Sequence, residues 1–221
     1  MPNPGEHHPA FEEYCECIFE LREDDVEVIQ ARIAERLKVS RPSVSEMIKR
    51  MESEGLITIA DTRIRLTSSG EELATRVVRR HRLAERFLTD MLGLSWAEAH
   101  QEAGKWEHVM SAKVEAALDR VLGSPTTCPH GNPIPGSQYS PPDDAVRLAQ
   151  LGTGAEFTIA RIPEELEFAA GMLDFLEKTS LVPGTRGRVA AVDANGDVVV
   201  SVLGRDVNVT PFASARILVT T

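Results

Sequence analysis

The segment IQARIAERLKVSRPSVSEMIKRMESEGLITIADTRIRL, residues 29–66, decides the fold. Ile29, Ile33, Ala34 and Leu37 recur at helical spacing, so a helix is expected over residues 26–37. Lys38-Val39-Ser40 makes a short turn. Ser40 carries a side chain able to cap a helix, and the fixed φ of Pro42 suits its first turn. That helix keeps Val44, Met47, Ile48 and Met51 on one side and stops at Gly55. Residues 56–60 and 64–66 are β-rich and flank the turn Asp61-Thr62-Arg63, which reads as a hairpin. Helix, turn, helix, hairpin is the order of a winged helix-turn-helix, and each stop signal agrees with it.

Working outward, residues 11–23 place Phe11, Tyr14, Cys15, Ile18, Phe19 and Leu21 at helical spacing, ending in the acidic turn Glu23-Asp24-Asp25. Downstream, Ser68 or Ser69 followed by Glu71 and Glu72 opens a long helix to about Leu92. A fifth helix follows Ser95 and reaches Met110, and a sixth runs from Ser111 to Gly123. Residues 123–142 are rich in Pro, Gly, Ser and Thr and read as a linker or long ordered loop. Beyond it come a strand at 157–162, a helix over 163–178 and short strands at 189–192, 198–203, 207–209 and 217–219. Asn195-Gly196 is a hairpin turn. The chain is therefore expected to be mainly α with a small SH3-like β barrel at its end. The expected division is residues 1–73 as the winged helix-turn-helix domain, 74–143 as a helical domain and 144–221 as the β domain.

The formal net charge of −10 is unevenly spread. Residues 1–27 hold nine acids and one base, a net of −8, whereas residues 28–65 hold eight bases and five acids, a net of +3. Phosphates repel the first segment and favour the second, an arrangement that invites a cation to mask the acids. Three cysteines, with no basic-then-apolar leader pattern at the N-terminus, argue against a disulfide framework. No apolar run approaches the roughly 18 residues a membrane span needs, so a cytoplasmic protein without a membrane role is expected.

Three of these helices carry metal-ligand residue types at helical spacing. The first has Glu13, Glu16, Cys17 and Glu20 on one face; the fourth has the i, i+4 pair His81 and Glu85; the fifth has His100, Gly104, Glu107 and His108 in one sector. One His–Glu pair alone is an ordinary solvated pair. Three such faces in one short region are a different matter, because close carboxylates repel unless a cation or protons lie between them.

The segments at 29–57, LATRVVRRHRLAERFLTDMLGL at 73–94, HQEAGKWEHVMS at 100–111 and HGNPIPG at 130–136 make the chain similar to the diphtheria toxin repressor family, which includes iron-dependent regulators and manganese transport regulators. The resemblance is close over much of residues 11–136 and looser beyond. It implies a divalent-metal-activated repressor that binds palindromic operator DNA as a homodimer, controls metal homeostasis genes, and holds two Mn²⁺ or Fe²⁺ ions per subunit. The implied ancillary site is His81, Glu85 and His100, with Glu164, Glu165 or Glu167 as a contribution from the third domain. The implied primary site is Glu13, Glu107 and His108 with Glu16. Here the chain departs from the iron type: Glu13 stands where Met is usual, and Gly104 stands where Cys is usual. Gly104 offers only its carbonyl, and Cys17 is a substitute sulfur donor. Losing both sulfurs shifts preference toward the harder Mn²⁺.

The third helix is expected in the major groove. Ser40, Arg41, Pro42, Ser43, Ser45 and Glu46 would approach bases, with Lys49, Arg50 and wing Arg63 or Arg65 on phosphates. Glu46, where many relatives carry Gln, would favour a cytosine amino group. Helices five and six should form a symmetric apolar dimer interface. An enzyme is disfavoured: H-E-x-x-H, G-x-S-x-G and P-loop motifs are all absent from the sequence. The alternative is a winged-helix regulator that ignores metal and senses an organic ligand or a partner protein.

Overall fold

The protein was analysed as a computed structural model that describes residues 9–221. The leader reading and part of the acidic count fall on residues 1–8, outside the described residues.

The head begins with α1 (Pro9–Glu23), α2 (Gln30–Leu37) and α3 (Arg41–Ser53), followed by the wing strands β1 (Ile57–Ala60) and β2 (Arg63–Leu66). Ser40 caps α3 by accepting from the Ser43 amide at 3.3 Å. The second helix is shorter than expected. Residues 26–29 are irregular rather than helical, and the Ile64 amide donates to the Val28 carbonyl at 2.9 Å, so this β-branched stretch lies along the wing instead of joining α2. Ile18, Ile33, Val44, Ile48, Met51 and Leu56 form a closed core, each at most 1% exposed.

The long α4 (Ser68–Asp90) is capped by Thr67, one residue before the expected serines, through the Gly70 amide. It belongs to two cores: Leu73 and Ala74 pack in the head, while Ala84 and Leu88 pack with Ala99, Ala103, Met110 and Leu118 of the middle region. α5 (Trp96–Trp106) starts with a capping box between Ser95 and Glu98 and ends earlier than expected. Glu107 and His108 therefore sit in the turn just past the helix, and α6 (Ala112–Val121) follows. The middle core is small, and Met91, Leu92, Val109, Val114 and Val121 stay exposed around it.

Residues 123–142 are an ordered loop rather than a linker. Cys128, His130, Asn132 and Ile134 are at most 1% exposed. The loop presses on the β domain at Gly131, whose φ is +87° and where a Cβ would meet the Ala160 carbonyl at 2.4 Å. Only glycine tolerates both constraints.

The β domain contains β3 (Val146–Arg147), β4 (Glu156–Arg161), β5 (Arg186–Val192), β6 (Val198–Val202), β7 (Arg205–Val209) and β8 (Leu218–Thr220). They form one antiparallel sheet in the order β3-β8-β4-β5-β6-β7, with irregularities in β4 and β5 where such sheets bend. The expected helix over 163–178 is two: α7 (Glu164–Glu167) and α8 (Met172–Lys178), separated at Gly171 with φ +73°. Short α9 (Pro211–Ser214) precedes β8. The core of this domain includes Trp96 from α5, which ties it to the middle region. Among the described residues, no helix is long and apolar enough to cross a membrane.

Candidate metal centre

α1, α4 and the end of α5 meet around a cavity of about 270 Å³ lined by Glu13, Glu16, Cys17, Glu20, His81, His100, Gly104, Glu107 and His108. Donor atoms of Glu16, His81 and Glu107 lie within 4.8 Å of one another, one from each of the three elements. His81 Nδ1 is 2.5 Å from Glu107 Oε2, and His108 Nε2 is 3.2 Å from Glu107 Oε1. His108 Nδ1 is 2.9 Å from Glu12 Oε2, a contact that aims the ring. Buried Glu16 Oε1 has no hydrogen-bond partner. Burial, followed by the charges of Glu107 and Glu20, pushes the Glu16 carboxyl well above its ordinary range. An acid held this way takes either a proton or a cation. The donor set is mostly oxygen with imidazole, and it fits a divalent cation of the Mn²⁺ or Fe²⁺ kind.

Glu13 lines the same cavity but is exposed, one turn of α1 from Glu16. At Gly104 a Cβ would have open space around it. Cys17 is only 2% exposed, and burial together with Glu20 drives its thiol far above the ordinary value. A thiol held protonated is a poor ligand, which argues against its standing in for the missing sulfur.

His81 also faces the other way. His81, Glu85 and His100 bring donor atoms within 4.8 Å of one another. Glu85 Oε1 is 3.2 Å from His81 Nε2 and 3.0 Å from His100 Nδ1. The implied ancillary residues are thus brought together, and His81 stands between both clusters. Of the three third-domain acids, Glu167 reaches this cluster, 3.3 Å from His100 Nδ1. Glu164 pairs instead with Arg82, and Glu165 with Arg216.

Sequence reasoning missed two donors. Glu85, Cys128 and His130 form a further set within 4.8 Å, wholly buried, and His130 Nδ1 lies 2.8 Å from Glu167 Oε2. The available signal was Cys128-Pro129-His130 leading into HGNPIPG, in a stretch read only as a linker or long ordered loop. Glu85 Oε2 and His130 Nε2 are buried without hydrogen-bond partners, so this set also has unfilled polar capacity. Burial opposes charge on His81, His100 and His130, yet their carboxylate neighbours overcome it and raise all three pKa values, that of His100 to about 10. The cations His130 and His81 likewise hold Glu85 well below its usual range against the cost of burial. Without metal, protons do the pairing here.

On the head, Ser40, Arg41, Pro42, Ser43, Glu46, Lys49 and Arg50 are exposed along one side of α3, with Ser45 half-buried beside them. Arg50 lies over the Phe11 ring at 5.4 Å, and wing Arg63 pairs with Glu27 at 3.0 Å.

Family comparison identifies both regions of the chain. Residues 8–63 match the model of the iron dependent repressor N-terminal DNA binding domain, and residues 67–136 match that of the iron dependent repressor metal binding and dimerisation domain. The chain is 41% identical over 210 residues to the iron-dependent repressor IdeR of Mycobacterium leprae, covering 90% of each chain. It is 40% identical over 205 residues to the diphtheria toxin repressor of Corynebacterium diphtheriae, covering 89% of this chain and 90% of that one. A solved manganese-dependent transcriptional repressor in complex with manganese superposes with a TM-score of 0.85 at 32% identity, covering 96% of this chain and 99% of that one. The chain belongs to the iron-dependent repressor family of metal-dependent transcriptional regulators.

Proposed function

We propose that this protein is a homodimeric repressor whose binding to palindromic operator DNA is switched on by Mn²⁺ or Fe²⁺, and that it controls metal homeostasis genes in the cytoplasm. The observation that carries this reading is the Glu16–His81–Glu107 cluster, because its donors come from the head and from the metal-binding region at once.

Glu16, His81, Glu107 and His108, with Glu13 at the rim, would hold the activating ion. His81, Glu85 and His100, or Glu85, Cys128, His130 and Glu167, would hold a second. The ion supplies positive charge that the crowded carboxylates otherwise obtain from protons. Glu16 then fixes α1 against α4 and the turn after α5. Since α1 packs on the core that carries α3, the reading helix is held at one angle. An arrangement stabilised only when loaded shifts the population toward the DNA-binding form.

Residues 1–73 read DNA, 74–143 bind metal and pair the subunits, and 144–221 form the SH3-like domain. Exposed Met91, Val109, Val114 and Val121 around a small core supply the apolar dimer surface. Ser40, Arg41, Pro42, Ser43, Ser45 and Glu46 face bases, and Lys49, Arg50 and Arg63 face phosphates. The family's members are repressors, and no enzymatic role is assigned.

The test is DNA binding under anaerobic conditions, using operator fragments selected by the protein itself and titrated with Mn²⁺, Fe²⁺ and Zn²⁺. Binding should appear with Mn²⁺ or Fe²⁺ and vanish with chelator. Affinity indifferent to chelator would instead support a regulator that senses an organic ligand or a partner protein.

A further inference from the structure

The third domain touches the head directly, and the contact is built from buried charge. Arg161, at the end of β4, donates from its Nη2 to Glu23 Oε2 at 3.1 Å and to Asp24 Oδ1 at 2.7 Å. Both acids belong to the C-terminal end of α1 and the turn after it. The second oxygen of Asp24 accepts from the Glu165 amide at the start of α7, at 3.0 Å. Side-chain exposure is 2% for Asp24 and 12% for Arg161, so the pair is largely shielded from solvent.

The same guanidinium faces the closed metal cluster through one intermediary. Arg161 Nε donates to Asn132 Oδ1 at 2.5 Å. Asn132 Nδ2 donates to Glu167 Oε1 at 2.6 Å and to the Ile162 carbonyl. The other oxygen of Glu167 lies 2.8 Å from His130 Nδ1 and 3.3 Å from His100 Nδ1. Asn132 is fully buried, and its amide has one orientation: its oxygen must accept from Arg161 while its nitrogen donates to Glu167. Gly131 packs the loop closely against β4 beside this amide.

The geometry points to Arg161 as a positioning residue that holds the DNA-reading head in register with the metal-facing carboxylate Glu167. The relay runs from Glu167 through Asn132 and Arg161 to Asp24 and Glu23. Fixing Glu167 in the closed cluster fixes the Asn132 amide. That sets the plane of the guanidinium, whose Nη2 then seats the end of α1. A forked, planar cation serves both ends at once, which a lysine cannot do. The third domain thereby becomes a strut between metal occupancy and head orientation, independent of the Glu16 connection in the middle of α1. This inference rests on the metal-activated reading proposed above.

The experiment uses the full-length chain with Mn²⁺ as the probe. Arg161→Met, Asp24→Asn and the double variant are compared with Arg216→Met, which breaks an ion pair to α7 without touching the head. Two quantities are read: the Mn²⁺ concentration at half-maximal DNA binding, and amide hydrogen exchange over residues 20–27 with and without Mn²⁺. Each relay variant should raise the half-maximal Mn²⁺ by about tenfold, within the range of ordinary allosteric couplings. DNA affinity at saturating metal should stay within about twofold, and the double variant should go no further than either single one. Mn²⁺ should slow exchange over residues 20–27 in the unmodified protein and in Arg216→Met, but not in Arg161→Met. If Arg161→Met fails to fold, Arg161→Lys keeps the charge and should show the same shift in part. Unchanged metal midpoints, additive losses, or Mn²⁺ protection that persists in Arg161→Met would overturn the relay. Should the unmodified protein bind DNA without regard to metal, the function reading fails; metal-induced protection that disappears in Arg161→Met would still establish the strut.

Discussion

The two donor clusters share His81 and differ in almost everything else. The one at α1 opens on a cavity of about 270 Å³, has Gly104 where a side chain would otherwise reach in, and leaves the Oε1 of Glu16 without a hydrogen-bond partner. The one around Glu85 is closed: Cys128, His130, Glu85 and Glu167 are all buried, and protonated histidines already balance the acids. The first is unfinished without a cation and spans two domains, as a switch requires. The second is preorganised, so a cation there displaces protons more than it moves helices. The contrast assigns activation to the first and architecture to the second.

That division of labour is broken most readily at Glu107, which contacts His81 and His108 together. Glu107→Ala should raise the Mn²⁺ needed for DNA binding by more than about 100-fold, beyond the usual cost of losing an outer-sphere partner. Anisotropy titrations would show it, and a near-normal midpoint would remove the open cluster from the mechanism. Next come two matched variants. Glu16→Ala should weaken metal-dependent DNA binding more than Glu85→Ala, by about tenfold, because only Glu16 lies on the head. Equal effects would erase the distinction between the clusters.

Cys128→Ser probes softness. It should lower Zn²⁺ affinity of the closed cluster by about tenfold in competition with a chromophoric chelator, while the Mn²⁺ midpoint for DNA binding moves little. A smaller shift is expected for Gly104→Cys, where the added side chain meets open space. Its preference should move several-fold from Mn²⁺ toward Zn²⁺ or Fe²⁺. The metal-free protein should also gain up to about 1 kcal/mol from losing a helical glycine, read by chemical denaturation.

The smallest effect is on pH-dependent stability. Burial works against the His100 cation, but hydrogen bonds to Glu167 and Glu85 prevail and lift its pKa to about 10, above the ordinary 6.5. The folded state therefore binds this proton more tightly than the unfolded chain. The stabilisation is complete below pH 6.5 and declines as pH rises toward about 10. With chelator, Tm should fall by a few degrees between pH 6.5 and 9, and the slope should shrink in His100→Gln. With metal bound the proton is already gone, so that part of the slope should be absent. Equal slopes with and without metal would mean that protons and cation do not compete there.

Much of this was legible in the residues. Helical periodicity, the Ser40 cap, the Gly55 stop and the wing hairpin describe the head because each is a local signal. Val26 to Ile29 were misread since this stretch bonds to the wing at Val28, a tertiary contact that helical spacing does not report. The break at Gly171 was passed over for a similar reason: the apolar positions of residues 163–178 continue across it. In the site, His81, Glu85 and His100 were visible as i, i+4 and inter-helix partners. Glu167 was one of three third-domain acids left open, and Cys128 and His130 were missed, because loop composition says nothing about burial and the partners are distant in sequence. Glu13 was given priority on α1, whereas the geometry brings Glu16 into contact. Three residues along one helix separate a rim position from a buried one.

The most direct test is a crystal of the full-length protein grown anaerobically with Mn²⁺, with anomalous difference density collected at the manganese edge. The account predicts a peak bounded by Glu16, His81 and Glu107, so that one ion is held by α1, α4 and the turn after α5. Density confined to the Glu85–Cys128–His130 cluster, or absent between α1 and α4, would contradict it.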